Sequence, residues 1–311
     1  MTTLLQQISN GIVLGAIIGL IALGYTMGYG IIQLINFAHG EVFMVGAYAG
    51  LATHTWVMPD SWRGDWYLTL PVTMLGGVLV ATLIAVIMER FAYRPLRNAP
   101  RLAPLITALG VSVFLQEAVR LFYPQAKSAR PFPAMFVQGE MRIPVPFADG
   151  EVVLPWIRVA MVIVAIALTV ALNSYVNITR MGRAMRATAQ DRDTARLMGI
   201  NPDRVIVLTF ALGGALAGVG GVLYGAYQNT INVDMGFQNG IFAFTAAVLG
   251  GIGSIRGAVI GAFMIGLVKT LGGQYLPGGS QYDYVWIFIV LILVLVFRPE
   301  GLFGEAEKVR A

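Results

Sequence analysis

Gly11-Ile12-Val13-Leu14-Gly15-Ala16-Ile17-Ile18-Gly19-Leu20-Ile21-Ala22-Leu23-Gly24 is apolar on every face of a helix. It forms the middle of a run from 8 to 29 that contains no Lys, Arg, Asp or Glu. A helix needs about 20 mostly apolar residues to cross a bilayer, and one that is apolar all round belongs in lipid or in a large core. Eight further runs follow, at 40–58, 68–89, 103–123, 157–178, 204–228, 241–255, 257–275 and 282–298. The pattern predicts an all-α fold: a polytopic transmembrane helix bundle of about eight to nine spans, one domain over 1–311. The run 241–255 is short for a full crossing and ends at Gly250, Gly251 and Gly253. Residues 241–275 therefore read either as two crossings or as a re-entrant pair.

Composition agrees. Of 311 residues, 57% are hydrophobic and 12% charged, against about 45–50% and about 25% in soluble domains. The 37 glycines suit closely packed membrane helices. There is no Cys, which excludes disulfides, thiol catalysis and Cys-ligated metals. Residues 1–12 carry no Lys or Arg, unlike the start of a cleaved signal peptide. The net charge of +5 comes from short loops between apolar runs and is no signal for nucleic acid.

Those loops set the orientation. Arg90, Arg94, Arg97 and Arg101 follow the third run. Arg180, Arg183, Arg186, Arg192, Arg196 and Arg204 follow the fifth, and Arg298, Lys308 and Arg310 end the chain. Together they are 13 of the 21 basic residues. Cytoplasmic loops carry the excess of Lys and Arg, so these segments and the C-terminus are expected inside and the N-terminus outside. The 123–157 segment is then extracytoplasmic. Its six prolines, from Pro124 to Pro155, exclude a long helix. It reads as a connector or as a docking surface for a partner outside the membrane.

Chemistry-bearing motifs are few. The chain has no phosphate-binding loop, no HExxH, no GxSxG, and only His39 and His54; neither an enzyme nor a resident cofactor is indicated. Polar residues inside apolar runs are then the candidates. Asn36-Phe37-Ala38-His39-Gly40-Glu41 interrupts two runs near the expected cytoplasmic side. It reads as a helix cap, with Asn36 or His39 on free N–H groups and Glu41 on the first turn, or as a pathway or gate element at a broken helix. Glu117 and Arg120, three apart on one helix face, read as an ion pair. Lys269 is expected to snorkel to the outer interface. Asn229, Asn232 and Asp234 mark a loop.

The 179–203 segment reads differently. Residues 183–198 are good helix formers with no Pro or Gly, and Gly199 fits a C-terminal stop. Ala184, Ala187, Ala195 and Met198 give a narrow apolar face among Arg183, Arg186, Asp191, Arg192 and Arg196. This predicts one short cytoplasmic helix that docks in a groove on a cytosolic partner, with Ala187 and Ala195 facing that partner and the charged residues at the rim.

Several stretches together carry a resemblance that covers nearly the whole chain. They are Gly24-Tyr25-Thr26-Met27, Ile35 to Glu41, Glu89-Arg90 with Ala92-Tyr93-Arg94-Pro95, Met181 to Ala184, Leu197 to Asn201, and Ala246 to Ile255 with Gly257-Ala258. In these the chain resembles the permease subunits of the branched-chain amino acid ABC importers, of the LivH type. The resemblance implies a second related permease, two cytosolic ATPase subunits and a periplasmic binding protein as partners, and a bacterial inner-membrane location. It makes the helix at about 183–198 the coupling helix. Arg256 stands where the family pattern usually has Pro. Related permeases for urea, amides or other amino acids share the architecture. A secondary transporter would leave the cytoplasmic helix unexplained.

Overall fold

The computed structural model describes residues 2–33, 35–63, 65–97, 99–100, 102–134, 139–144 and 151–304. Arg101, Lys308 and Arg310 lie outside them. Eleven α-helices are described: α1 (Thr2–Ile32), α2 (His39–Ala52), α3 (Trp66–Met88), α4 (Leu102–Phe122), α5 (Trp156–Ile178), α6 (Arg180–Gln190), α7 (Arg192–Leu197), α8 (Pro202–Gln228), α9 (Met235–Gly250), α10 (Ile255–Tyr275) and α11 (Asp283–Phe297). A π-helical turn, Thr53–Val57, extends α2, and a second, Glu89–Tyr93, extends α3 into Arg94–Leu96. Seven helices are long and apolar enough to span a membrane: α1, α3 with its extension, α4, α5, α8, α10 and α11 with its preceding turn.

The remaining two apolar runs are shorter helices, as expected of 241–255 but not of 40–58. Both are deeply buried. In α2 every residue from His39 to Leu51 except Ala49 is buried. At 16 residues, α9 is about 24 Å long, less than the roughly 30 Å hydrocarbon layer. Non-helical chain precedes each: residues 33 and 35–38 before α2 and residues 229–234 before α9. The 241–275 ambiguity thus becomes an antiparallel pair, α9 against α10, turned at Gly251 and sealed by Gly250 on Gly257 and Ala246 on Gly261.

The helices arrange as a buried middle and an exposed, apolar periphery. α1 packs on α10, α8 and α9, and α2 sits among α8, α3 and α9. The outer helices expose rows of large apolar side chains: Leu75, Leu79 and Leu83 on α3, Val113 and Phe114 on α4, Ile163, Ile166 and Val170 on α5, and Ile292 and Val296 on α11. Lipid tails are as apolar as Leu, so burial of apolar area does not drive these helices together; close backbone packing does. The tightest crossing joins Gly46 of α2, Gly77 of α3 and Gly218 of α8. A Cβ on Gly218 would lie 2.7 Å from the Gly77 carbonyl oxygen, and one on Gly46 2.7 Å from the Gly218 Cα.

The two ends of the bundle differ in kind. At one end lie the start of α1, the described parts of the 123–157 segment and four exposed tryptophans, Trp56, Trp62, Trp66 and Trp156, as in an interfacial aromatic belt. The Pro-rich segment is more regular than expected. Strand β1 (Arg130–Pro131) pairs with β4 (Thr230–Ile231), and β2 (Glu140–Pro144) pairs with β3 (Glu151–Pro155) in a hairpin bounded by its prolines. Gln6 fastens this hairpin to α1 through bonds to both the N–H and the carbonyl of Val153, each 3.0 Å. Asn229, as expected, lies in a loop; its φ of 56° ends α8. At the other end the described Arg-rich segments come together with the last described residues, where Leu302 and Phe303 donate to the carbonyls of Leu249 and Gly250.

Candidate functional site

The polar segment before α2 lies inside the bundle. α1 runs to Ile32 and breaks with Gln33 at φ 57°. The chain then doubles back, and the His39 ring rests on Gly24, eight residues or about 12 Å up α1 from its end. Asn36 holds the turn that leads into α2 but does not cap the helix: its Oδ1 accepts from the Ala38 N–H at 3.1 Å and from the Tyr93 hydroxyl at 2.6 Å, and no side chain bonds the first N–H groups of α2. His39 caps nothing. It packs edge-on against Tyr25, 5.2 Å between centroids, and its Nε2 has no hydrogen-bond partner. Glu41 is buried on the first turn of α2. Its Oε1 accepts from the Ser112 hydroxyl at 3.2 Å, while Oε2 lies unpartnered against Gly236. α2 and α9 touch where a Cβ on Gly40 would lie 2.9 Å from the Gly240 Cα. A small cavity of about 20 Å³ adjoins His39, Asn36, Tyr93 and Thr209, room for about one water. Asn36, His39 and Glu41 therefore sit in a packed joint between helices and line no open channel.

A network not anticipated from the sequence secures the Arg-rich end. Glu89 is fully buried at the end of α3. Arg97 bonds its Oε1 and also the Asp203 carboxylate at the start of α8, and Arg94 reaches the same Asp203 at 2.7 Å. The available signal was a lone acid, Glu89, at the close of an apolar run followed by clustered Arg. Nothing local pointed to Asp203, 106 residues beyond Arg97.

The 179–203 segment corrects the expected single helix. α6 and α7 meet at Asp191, whose backbone is extended and whose carboxylate caps α7: Oδ1 accepts from the N–H groups of Asp193 and Thr194 at 2.9 and 3.2 Å. Helix propensity favoured continuity, but an Asp with two following N–H groups in reach starts a helix as readily as it continues one. The Thr194 hydroxyl and these N–H groups hold the Asp191 carboxyl below its usual range. The cap is thus intact at neutral pH and is lost only as pH falls through that lowered value.

The expected faces also change. Met185, Thr188 and Ala195 point inward and are buried, while Ala187 is half-buried. Ala195 therefore packs on the protein itself and presents nothing to a partner. Arg183 and Arg186 donate to the end of α5, to the carbonyls of Ile178 and Val176, where a helix terminus favours cations. Arg192 is half-buried close to Arg97 and Arg196, and burial, then those two charges, lower its pKa. Exposed at the tip are Arg196, paired with Asp193 at 3.4 Å, and two large apolar side chains, Leu197 at 87% and Met198 at 78% of full exposure. Gly199 ends α7 as expected. At φ 79° it lets its own N–H reach the Arg196 carbonyl and that of Ile200 reach Ala195, both at 3.0 Å, a Schellman closure.

Glu117 and Arg120 pair as expected, at 2.6 Å, and Arg120 also approaches Asp234 at 3.5 Å. Lys269 does not snorkel. Its Nζ lies 4.2 Å from the Phe242 ring centroid, turned into the protein where a ring face and nearby Asp283 replace water. Arg256 occupies the first turn of α10, after the Ser254 cap. Among the described residues no group of three His, Asp or Glu side chains is placed to hold a metal ion.

Comparison with known proteins accounts for this architecture. The family model described as branched-chain amino acid transport system / permease component matches residues 7–295. The chain is 42% identical to the high-affinity branched-chain amino acid transport system permease protein BraD of Pseudomonas aeruginosa, over 98% of both chains. It is 43% identical to the permease protein LivH of Escherichia coli K12, over 98% of this chain and 97% of that one. Among solved structures, PsaBC from Streptococcus pneumoniae in complex with Fab is similar at TM-score 0.48 and 12% identity, covering 94% of this chain and 92% of that chain. A polytopic bundle matched along nearly its whole length in this way belongs to the permease components of branched-chain amino acid transport systems.

Proposed function

We propose that this chain and a second, related permease form the translocation pathway of an ATP-driven importer in the bacterial inner membrane. It takes branched-chain amino acids from a periplasmic binding protein, and two cytosolic ATPases drive it. The observation that carries the reading is Leu197 and Met198 standing exposed among charged residues at the tip of α7. The loop that presents them is held by Arg183, Arg186, the Asp191 cap and the Gly199 closure. A rigid apolar tip of this kind fits a groove on a soluble partner. Arg196 lies at its rim; Ala187, Arg192 and Ala195 belong to the support behind it. Leucine uptake into vesicles is expected only with both permeases, both ATPases and ATP. Leu197→Glu should weaken ATPase binding about thirtyfold, or about 2 kcal/mol, with the permease pair intact. Uptake by the single chain without nucleotide would indicate a secondary transporter. Uptake of urea or amides in place of leucine would move the substrate class.

The Arg-rich end faces the cytoplasm in this reading, and the end with the tryptophans and the hairpin faces the binding protein. Met198 and Ala129 are both exposed and lie at opposite ends, and the wild type has no Cys. Ala129→Cys should react with an impermeant thiol reagent in intact cells and Met198→Cys only after lysis. The reverse pattern would place both termini on the other sides.

Asn36, His39 and Glu41 act as a gate hinge rather than as substrate ligands. The segment breaks a helix inside the bundle, where such breaks permit movement, and it meets α9 glycine to glycine. His39→Ala is expected to lower transport per folded molecule several-fold. A drop in melting temperature with unchanged transport per folded molecule would reduce the segment to packing.

A further inference from the structure

We propose that the cleft between α1, α5, α6 and the first turn of α10 binds the phosphate headgroup of an anionic phospholipid from the leaflet on the Arg-rich side. The cleft holds about 440 Å³ and is lined by Met27, Ile31, Asn177, Arg186 and Arg256 among others. Three independent features converge on it. Arg256 is exposed at its rim and has no hydrogen-bond or ion-pair partner among the described residues. The other cation, Arg186, is fixed by the carbonyls of Val176 and Asn177, and a guanidinium has five N–H donors, so some remain for a ligand. The inner wall, Met27 and Ile31, is apolar, while the rim also carries the amide of Asn177.

The position selects the ligand class. Ile166, Val170 and Ile178 on the outer side of α5 are exposed large apolar groups, a surface suited to lipid tails. Asn177 and Arg256 stand at the end of that surface, at headgroup level. At the start of the 21-residue α10 the Gly257 N–H is taken by the Ser254 hydroxyl, while those of Ile255 and Arg256 have no acceptor within the helix. A phosphodiester at this depth meets two guanidinium groups, an amide and a helix start, and its glycerol and upper acyl carbons meet Met27 and Ile31. A small inorganic anion would leave the apolar wall unused, and a zwitterionic headgroup would bring its own cation against Arg256. Basic pockets between transmembrane helices on the basic side bind anionic headgroups for these reasons.

The test uses the full chain purified in mild detergent, with native mass spectrometry and thermal unfolding. Phosphatidylglycerol, phosphatidylcholine and inorganic phosphate are titrated separately. One phosphatidylglycerol is expected to be retained and to raise the melting temperature, while phosphatidylcholine and phosphate do neither. Arg256→Gln, at an exposed position that leaves the fold intact, should weaken phosphatidylglycerol binding about tenfold. Asn177→Ala should weaken it less, and Arg298→Gln, a cation at the same end but outside the cleft, should leave it unchanged. Equal losses in Arg256→Gln and Arg298→Gln would overturn the site in favour of general charge. Equal stabilisation by inorganic phosphate would make it a small-anion site.

Discussion

Arg97→Ala is expected to destabilise the protein by about 3–5 kcal/mol, the usual cost of removing one partner of a buried pair. The Glu89 side chain is completely buried, and Arg97 is its partner, at 12% exposure. Glu89 Oε2 already lacks a hydrogen bond, so without Arg97 the whole carboxylate is stranded. Asp203 loses a bond as well, but at 36% exposure it recovers water. Arg94→Ala is the control. Arg94 is 43% exposed where it meets Asp203, and surface pairs are worth about 0–1 kcal/mol. Glu89→Gln should restore much of what Arg97→Ala loses, because it removes the stranded charge. The measurement is thermal unfolding of the purified chain for the four variants. Equal losses for Arg94→Ala and Arg97→Ala, or no recovery in the double variant, would reject the buried network as the element that fixes α3 to α8. Because the network adjoins Arg192 at the base of the α6–α7 loop, its loss should also loosen that loop and, on the function proposed above, weaken ATPase binding.

Gly218→Ala is expected to be as damaging, for a different reason. Its Cβ would lie 2.7 Å from the Gly77 carbonyl oxygen and 2.8 Å from the Val78 Cα. Both are backbone atoms of a neighbouring helix, so no side chain can rotate away and α3 and α8 must separate. Overpacking typically costs about 1–3 kcal/mol. Here it also parts α2, which crosses both helices at Gly46. The expected result is loss of monodisperse protein on size-exclusion chromatography, worse for Gly218→Val. Gly110→Ala on α4 is the matched control: nothing lies within 4 Å of its Cβ, and the change should be within about 0.5 kcal/mol of neutral. Equal melting temperatures for Gly218→Ala and Gly110→Ala would show that the three-glycine crossing is not needed.

Much of this protein was legible in its sequence because the decisive quantities are local. Whether a segment enters lipid depends on its own twenty or so residues. The Arg clusters at 90–97 and 180–204 share one end because charge next to a span biases its insertion. Gly199 could be read as a stop because the left-handed turn after a helix is set by the residue that makes it. What tertiary structure alone decided is which apolar helices are inside and what their polar residues meet. α1 and α11 are both apolar on every face, yet α1 is buried among α8, α9 and α10 while α11 stands exposed on the outside of the bundle. In water a polar face would mark the outside of a helix; in a bilayer the solvent is itself apolar, so the period that separates inside from outside is erased. The same loss hid the shortness of α2 and the inward turn of Lys269. Glu89 and Asp203 illustrate the other limit: a fixed pair of helix ends more than a hundred residues apart gives each carboxylate its arginine, and no spacing within either segment carries that information.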